Sequence, residues 1–290
     1  MPTMELCGKN VEVKNTVCTK NGINLIPFPY VNLYIRATEA CPADCPFCIY
    51  HKNKNRKEFD AKKFIPILEE IHKKVFVHKV VFTGGEPTLD MSQFFRIVSF
   101  VQDELPTTHF TVNTNGMHLK KLSSHGLIES IHCVALSRHH YLDAENAETF
   151  GGVYTCLNKD IAAFPYKNKL HLRCNLIDGY IDNDKTVYRY MDEYSKMGVF
   201  DFGFVSLMKH NEYCHKKFVP QIDIHKLPDT VVVNEAHNDT CRCRNFLHKT
   251  ESGYPVMVYD RQENCPSSGT GTLVFDIDCL RAGFGGEVIV

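Results

Sequence analysis

The 290-residue chain has no excess of charge of either sign: 33 Lys and Arg stand against 34 Asp and Glu, a net charge of −1. A balance this even offers neither the basic stripe that nucleic-acid binding draws on nor the polybasic segment that an anionic membrane attracts. No stretch approaches the ~18 consecutive apolar residues of a membrane-crossing helix, and the opening residues, MPTMELCGKNVEVKN, carry no apolar run of the kind a secretory signal needs. Internal repeats and low-complexity segments are missing too. These absences predict a cytoplasmic protein without nucleic-acid or membrane partners. In a reducing compartment its thirteen cysteines do not form a disulfide framework. Clusters among them read as metal ligands or reactive thiols, and isolated ones such as Cys133, Cys156 and Cys174 as small buried hydrophobes.

With 43% hydrophobic residues, the chain can build one large domain and an appendage. Six β-branched or aromatic runs predict strands: YVNLYIRA (30–37), FVHKVVF (76–82), THFTVN (108–113), SIHCVALS (130–137), KLHLRCNLI (169–177) and FDFGFVSL (200–207). Helical spacing separates them, with Phe64, Ile65, Leu68, Ile71 and Val75 in 60–74, and Phe94, Ile97, Val98 and Val101 in 91–104. Six βα units without a seventh and eighth predict an α/β fold, a partial (βα)6 TIM-like barrel open at one side, over residues 24–214. Residues 1–23 read as a short extension. After about residue 210 the alternation stops, so 215–290 reads as a small C-terminal α/β unit.

In parallel barrels the chemistry sits at the carboxyl ends of the strands. Four unusual loops fall there: ACPADCPFCIYHK after the first run, TGGEPT after the second, NTNG after the third and SRHH after the fourth. Cys41, Cys45 and Cys48 are spaced by three and then two residues. A structural zinc site asks for four tetrahedral ligands, and no nearby Cys or His pair completes one here. Three thiolates can instead hold three irons of a [4Fe–4S] cube and leave the fourth open.

This spacing, with Phe47 before the third cysteine, resembles the signature of the radical S-adenosylmethionine (radical SAM) superfamily. The resemblance implies a [4Fe–4S] cluster on Cys41, Cys45 and Cys48 and S-adenosylmethionine chelated to its open iron. Reductive cleavage of that cofactor would give a 5′-deoxyadenosyl radical that abstracts hydrogen from a substrate. Gly84, Gly85, Glu86 and Pro87 resemble the family's GGEP motif, which holds the methionine amino group. Asn113 and Ser137 correspond to ribose-contacting positions. Arg173, with Asn175 nearby, corresponds to a basic position that meets the methionine carboxylate, which suits a planar guanidinium. An oxygen-sensitive enzyme of this kind also implies a low-potential electron donor such as flavodoxin or ferredoxin.

The tail carries Cys241 and Cys243, followed by Cys265 and Cys279. It resembles the twitch or SPASM unit of many radical SAM enzymes, in which Cys, nine to fifteen residues, Gly, four residues and Cys follow one another. Nine residues lead from Cys243 to Gly253, but four more lead to Val258 instead of a cysteine. Two readings stay open. Cys241, Cys243 and Cys265 bind a second iron–sulfur cluster, with Cys214 or Cys279 as a fourth ligand or an open site; or the hairpin only closes the barrel mouth. His139 and His140 read as ordinary polar loop residues ahead of proton-transfer groups. The twitch-like tail favours a peptide substrate. A small-molecule cyclase, epimerase or dehydrogenase is the alternative, and a non-catalytic metal-binding protein the distant one, since it gives the GGEP, Asn113, Ser137 and Arg173 positions no role.

Overall fold

Each of the six predicted runs meets one strand, two of which extend a residue beyond it: β1 (Tyr30–Arg36), β2 (Phe76–Thr83), β3 (His109–Thr114), β4 (Cys133–Ser137), β5 (Leu170–Leu176) and β6 (Phe202–Ser206). The computed structural model describes residues 3–14, 19–20, 23–24, 29–49, 59–219, 230–237, 244–260 and 271–290. Neighbouring strands from β1 to β6 are parallel throughout. Parallel strands covered on both faces read as continuous hydrophobic runs, yet these alternate. In β1, Val31, Leu33 and Ile35 join the apolar core, and in β5 Leu170, Leu172, Cys174 and Leu176 do so. The residues between them, Asn32, Tyr34 and Arg36 or His171, Arg173 and Asn175, are half-buried and turn to the other face. The alternation is the mark of a barrel with helices outside and a polar lumen inside.

The outer layer follows from its caps and apolar stripes. Helix α1 (Ala61–Lys74) starts where the Asp60 carboxylate accepts from Lys62 N–H and ends on His72, Lys73 and Lys74, cations that suit the carbonyl end. Helix α2 (Met91–Glu104) starts where Asp90 accepts from Ser92 and Gln93 N–H. Phe64, Leu68 and Ile71 of α1 and Phe94, Ile97, Val98 and Val101 of α2 pack with the outward residues of the strands in one cluster. An amino-terminal hairpin, Thr3–Leu6 paired with Lys9–Glu12, adds Leu6, Val11 and Val13 to that cluster.

Residues 215–290 do not build a sheet of their own among the described residues. They supply β7 (Thr230–His237), β8 (Arg244–Thr250), β9 (Pro255–Asp260), β10 (Thr272–Asp276) and β11 (Cys279–Ala282), and the sheet order is β7-β8-β9-β6-β5-β4-β3-β2-β1-β10-β11. β9 runs parallel to β6 and β10 parallel to β1, so eight neighbouring strands are parallel. A six-stranded sheet leaves two open edges of unpaired backbone groups, and the tail covers both. Its strands return as antiparallel hairpins, with no helix following them among the described residues. The turn between β8 and β9 places Gly253 at φ +81°, where glycine is favoured. Val258, at the position where the twitch pattern has cysteine, is buried and lies opposite Phe204 of β6.

Candidate functional site

The loop after β1 is held by its neighbours through backbone bonds. Gly85 N–H donates to Thr38 O at 2.6 Å and Glu86 N–H to Ala40 O at 2.8 Å, while Asp44 N–H donates to Phe150 O at 3.2 Å. Asn211 Nδ2 donates to Pro46 O at 2.9 Å. A Cβ on Gly85 would stand 2.2 Å from Ala40 O, and one on Gly84, whose φ is +131°, 2.5 Å from Thr38 O. The glycine pair is therefore required first by the cysteine loop itself, which lies flat against it.

Glu86 departs from its expected role as an ammonium acceptor. It is 0% exposed. Oε1 accepts from Thr88 N–H at 3.0 Å, Thr88 Oγ1 at 2.6 Å and Thr114 Oγ1 at 2.8 Å, and Oε2 accepts from Asn115 N–H at 2.7 Å. These four donors account for the charge, so the carboxylate ties the second loop to the third. Neither Glu86 nor Pro87 lines the cavity.

A cavity of about 710 Å³ opens at the carboxyl ends of the strands. Cys41, Cys45, Phe47, Cys48, Gly84, Gly85, Asn113, Ser137, Arg173 and Asn175 all line it, which brings every other expected site residue from the barrel into one space. Cys241, Cys243 and Cys265 lie outside the described residues. Burial pushes the Cys41 thiol up to about 11, and burial together with Cys48 and Cys41 raises Cys45 further. Three thiolates this close are stable only with positive charge among them, which is what iron supplies. No three His, Cys, Asp or Glu side chains among the described residues gather as a single-ion site. Three cysteine thiols in one loop are the donor set a [4Fe–4S] cluster takes, one thiolate to each of three irons.

Above the thiols, Arg173 Nη1 donates to Asn113 Oδ1 at 3.5 Å and its guanidinium lies 5.7 Å from the centre of the Tyr259 ring. Four residues passed over in the sequence also belong here. Asn115 Nδ2 donates to Cys41 Sγ at 3.7 Å, and it stands two residues after Asn113 in the NTNG segment. The stretch after β6 adds Leu207, Met208 and His210, a loop whose composition carries no motif.

The adjacent histidines part company. His139 lines the cavity, but its Nδ1 accepts from Asn175 N–H at 3.0 Å and its ring sits between Phe47 and Phe150, 5.1 and 5.0 Å away. Burial, helped by the Arg138 cation, lowers it to about 3, so it is neutral and positions Phe47 and Asn175. His140 does not line the cavity, and its Nδ1 accepts from Leu142 N–H at 3.0 Å. Arg138 between them and β4 is fully buried and bonded to Tyr194 Oη, Cys156 O, Asp143 Oδ1 and Asn158 Oδ1. No helix among the described residues is long and apolar enough to cross a membrane.

Comparison with known proteins agrees with this architecture. The family model of the radical SAM superfamily matches residues 35–135. A Methanocaldococcus jannaschii protein, uncharacterized protein MJ0907, is 32% identical over 89 residues, 29% of this chain and 30% of that protein. Streptococcus suis SuiB, solved with bound S-adenosylmethionine, superposes with a TM-score of 0.52 at 20% identity over 68% of this chain and 45% of its own. The enzyme anSMEcpe, solved with S-adenosylmethionine and a peptide, superposes with a TM-score of 0.50 at 17% identity over 64% of this chain and 55% of its own. The chain thus spans about half the length of these two structures or less, and at such identities they speak for the fold alone. Fold, motif order and family model agree on the radical SAM superfamily over residues 35–135, and outside that stretch the solved structures show the fold alone.

Proposed function

We propose that Cys41, Cys45 and Cys48 hold a [4Fe–4S] cluster and that S-adenosylmethionine fills the adjoining cavity. The single observation that carries this reading is the convergence, from five strands and their loops, of the three thiols with Gly84, Gly85, Asn113, Ser137, Arg173 and Asn175 on one space. When bound, the cluster supplies the electron for reductive cleavage of S-adenosylmethionine to methionine and a 5′-deoxyadenosyl radical, which takes hydrogen from the substrate. The chain's own part is positioning. Arg173 faces the methionine carboxylate, Asn113 and Ser137 the ribose hydroxyls, and the Gly84–Gly85 backbone the methionine amino group. Glu86 acts from behind, by fixing the loops that carry Gly85 and Asn115. Phe47, braced by His139, excludes water beside the thiols.

A peptide is the substrate class we favour. SuiB has also been solved with its precursor peptide SuiA, superposing with a TM-score of 0.50, and the β8–β9 hairpin with Gly253 at its turn resembles the start of a twitch unit. Since Val258 is a buried strand residue, a second cluster would have to draw on Cys241, Cys243 and Cys265 without it.

Anaerobically reconstituted protein tests these readings together. About four irons with 5′-deoxyadenosine formed under a strong reductant supports one cluster, and about eight supports two. The Cys41/Cys45/Cys48→Ala variant is expected to form no 5′-deoxyadenosine. If it forms as much as wild type, the reading fails.

A further inference from the structure

One residue of the third loop serves two acidic groups at once. Asn115 is buried and follows Thr114 at the carboxyl end of β3, with its side chain on the cavity wall. Its main-chain N–H donates to Glu86 Oε2 at 2.7 Å, and its side-chain Nδ2 donates to Cys41 Sγ at 3.7 Å. The side-chain amide is held in that sense, because Oδ1 accepts from Met117 N–H at 2.9 Å. Turned the other way, it would set a donor against a donor at Met117 and an oxygen against the sulfur of Cys41.

The surroundings keep this donor in place. Glu86, whose Oε2 holds the Asn115 main chain, is itself bonded through Oε1 to Thr88 and Thr114. Cys41 also accepts from Ala43 N–H and lies within electrostatic reach of the Glu86 carboxylate. A negative charge spreading onto Cys41 is therefore opposed by Glu86 and favoured by the Asn115 amide. An N–H aimed at a cluster sulfur stabilises the reduced state, the more negative one, over the oxidised state. A donor fixed before the electron arrives acts without rearrangement, and burial leaves its dipole poorly screened.

We infer that, given the cluster proposed above, Asn115 is a positioning residue that sets how readily the cluster is reduced, its amide stabilising the negative charge that reaches Cys41. Reduction takes up one electron, supplied in the test by dithionite, and no bond forms or breaks.

Redox titration of reconstituted protein without S-adenosylmethionine, read by EPR of the reduced cluster, compares wild type with Asn115→Leu and Asn115→Asp. Leucine keeps the branched shape without either polar end, and aspartate keeps an acceptor for Met117 N–H while turning a negative oxygen toward Cys41. At the potential that half-reduces wild type, the ratio of reduced to oxidised cluster is expected to fall at least about three-fold in Asn115→Leu, or about 28 mV for one electron, and further in Asn115→Asp. A donor against the sulfur also leaves a spectroscopic mark. With asparagine labelled in heavy nitrogen, pulsed EPR of wild type is expected to show a coupling between that nitrogen and the cluster, and both variants to lose it. A fall of less than about three-fold in an Asn115→Leu protein that holds iron as wild type does, or no asparagine coupling in wild type, overturns the inference. The coupling in wild type needs no variant, so it decides even where a substitution costs the protein its cluster. Wild type that takes up no iron would end the cluster reading and this inference together, whereas a wild-type cluster with an unshifted variant ends this inference alone.

Discussion

The rim and the floor of this lumen treat charge in opposite ways. At the rim, Glu86 meets four donors and Arg138 four acceptors, all within the protein. On the floor, Lys79 has no such partner among the described residues. A buried charge fully bonded by its own chain fixes structure, because moving it would leave several groups unpaired. A half-buried charge whose head group is not sealed from solvent fixes little, because water can take the place of a protein partner. The comparison separates a charge that holds the fold together from one that does not, among residues that look alike in the sequence.

Removing a scaffold charge should have the largest effect on stability. Glu86→Ala leaves two backbone N–H groups and two hydroxyls without their acceptor, and is expected to lower stability by about 3–5 kcal/mol in urea unfolding. Arg138→Met strands Asp143 and three further acceptors and should cost about 3 kcal/mol or more. Glu86→Ala should also reduce iron content, since Asn115 N–H and Glu86 together hold the loops around Cys41 in place. A loss under about 1 kcal/mol for either variant would mean that these bonds do not fix the rim.

Much of this was legible in advance. The strand runs and helices α1 and α2 follow from period 2 and period 3.6 patterning, and the rim residues from the order of four loops at the carboxyl ends of strands. The role of Glu86 was not, because an acidic residue after Gly-Gly reads as a ligand contact until its four donors, drawn from residues up to Asn115, are seen. The tail's place on both edges of the sheet was hidden for a related reason. β9 and β10 pair with strands far from them in sequence, and register between distant strands leaves no local pattern. Lys79 and His171 look like ordinary strand polar residues until the fold sets them inside the lumen.

The pH profile sharpens the contrast at the rim. His139 is 4% exposed and lowered to about 3, against about 6.5 when unfolded. Below pH 6.5 the unfolded chain therefore binds a proton that the folded one refuses. Stability should fall as pH drops from about 6.5 toward 3 and be independent of this group above that window. His139→Asn, which can still accept from Asn175 N–H, should flatten the profile by up to about 1.4 kcal/mol per pH unit. An unchanged slope in paired urea titrations would show that His139 is already protonated in the folded protein.

The smallest expected effect is the most telling, because its sign is opposite to that of the rim variants. Lys79→Met replaces a half-buried, unmatched ammonium with an apolar chain of similar length, so the variant should equal wild type or exceed it by about 1 kcal/mol in urea unfolding. A variant less stable than wild type by a similar amount would place a structural partner beside Lys79, and the floor would then be scaffold like the rim.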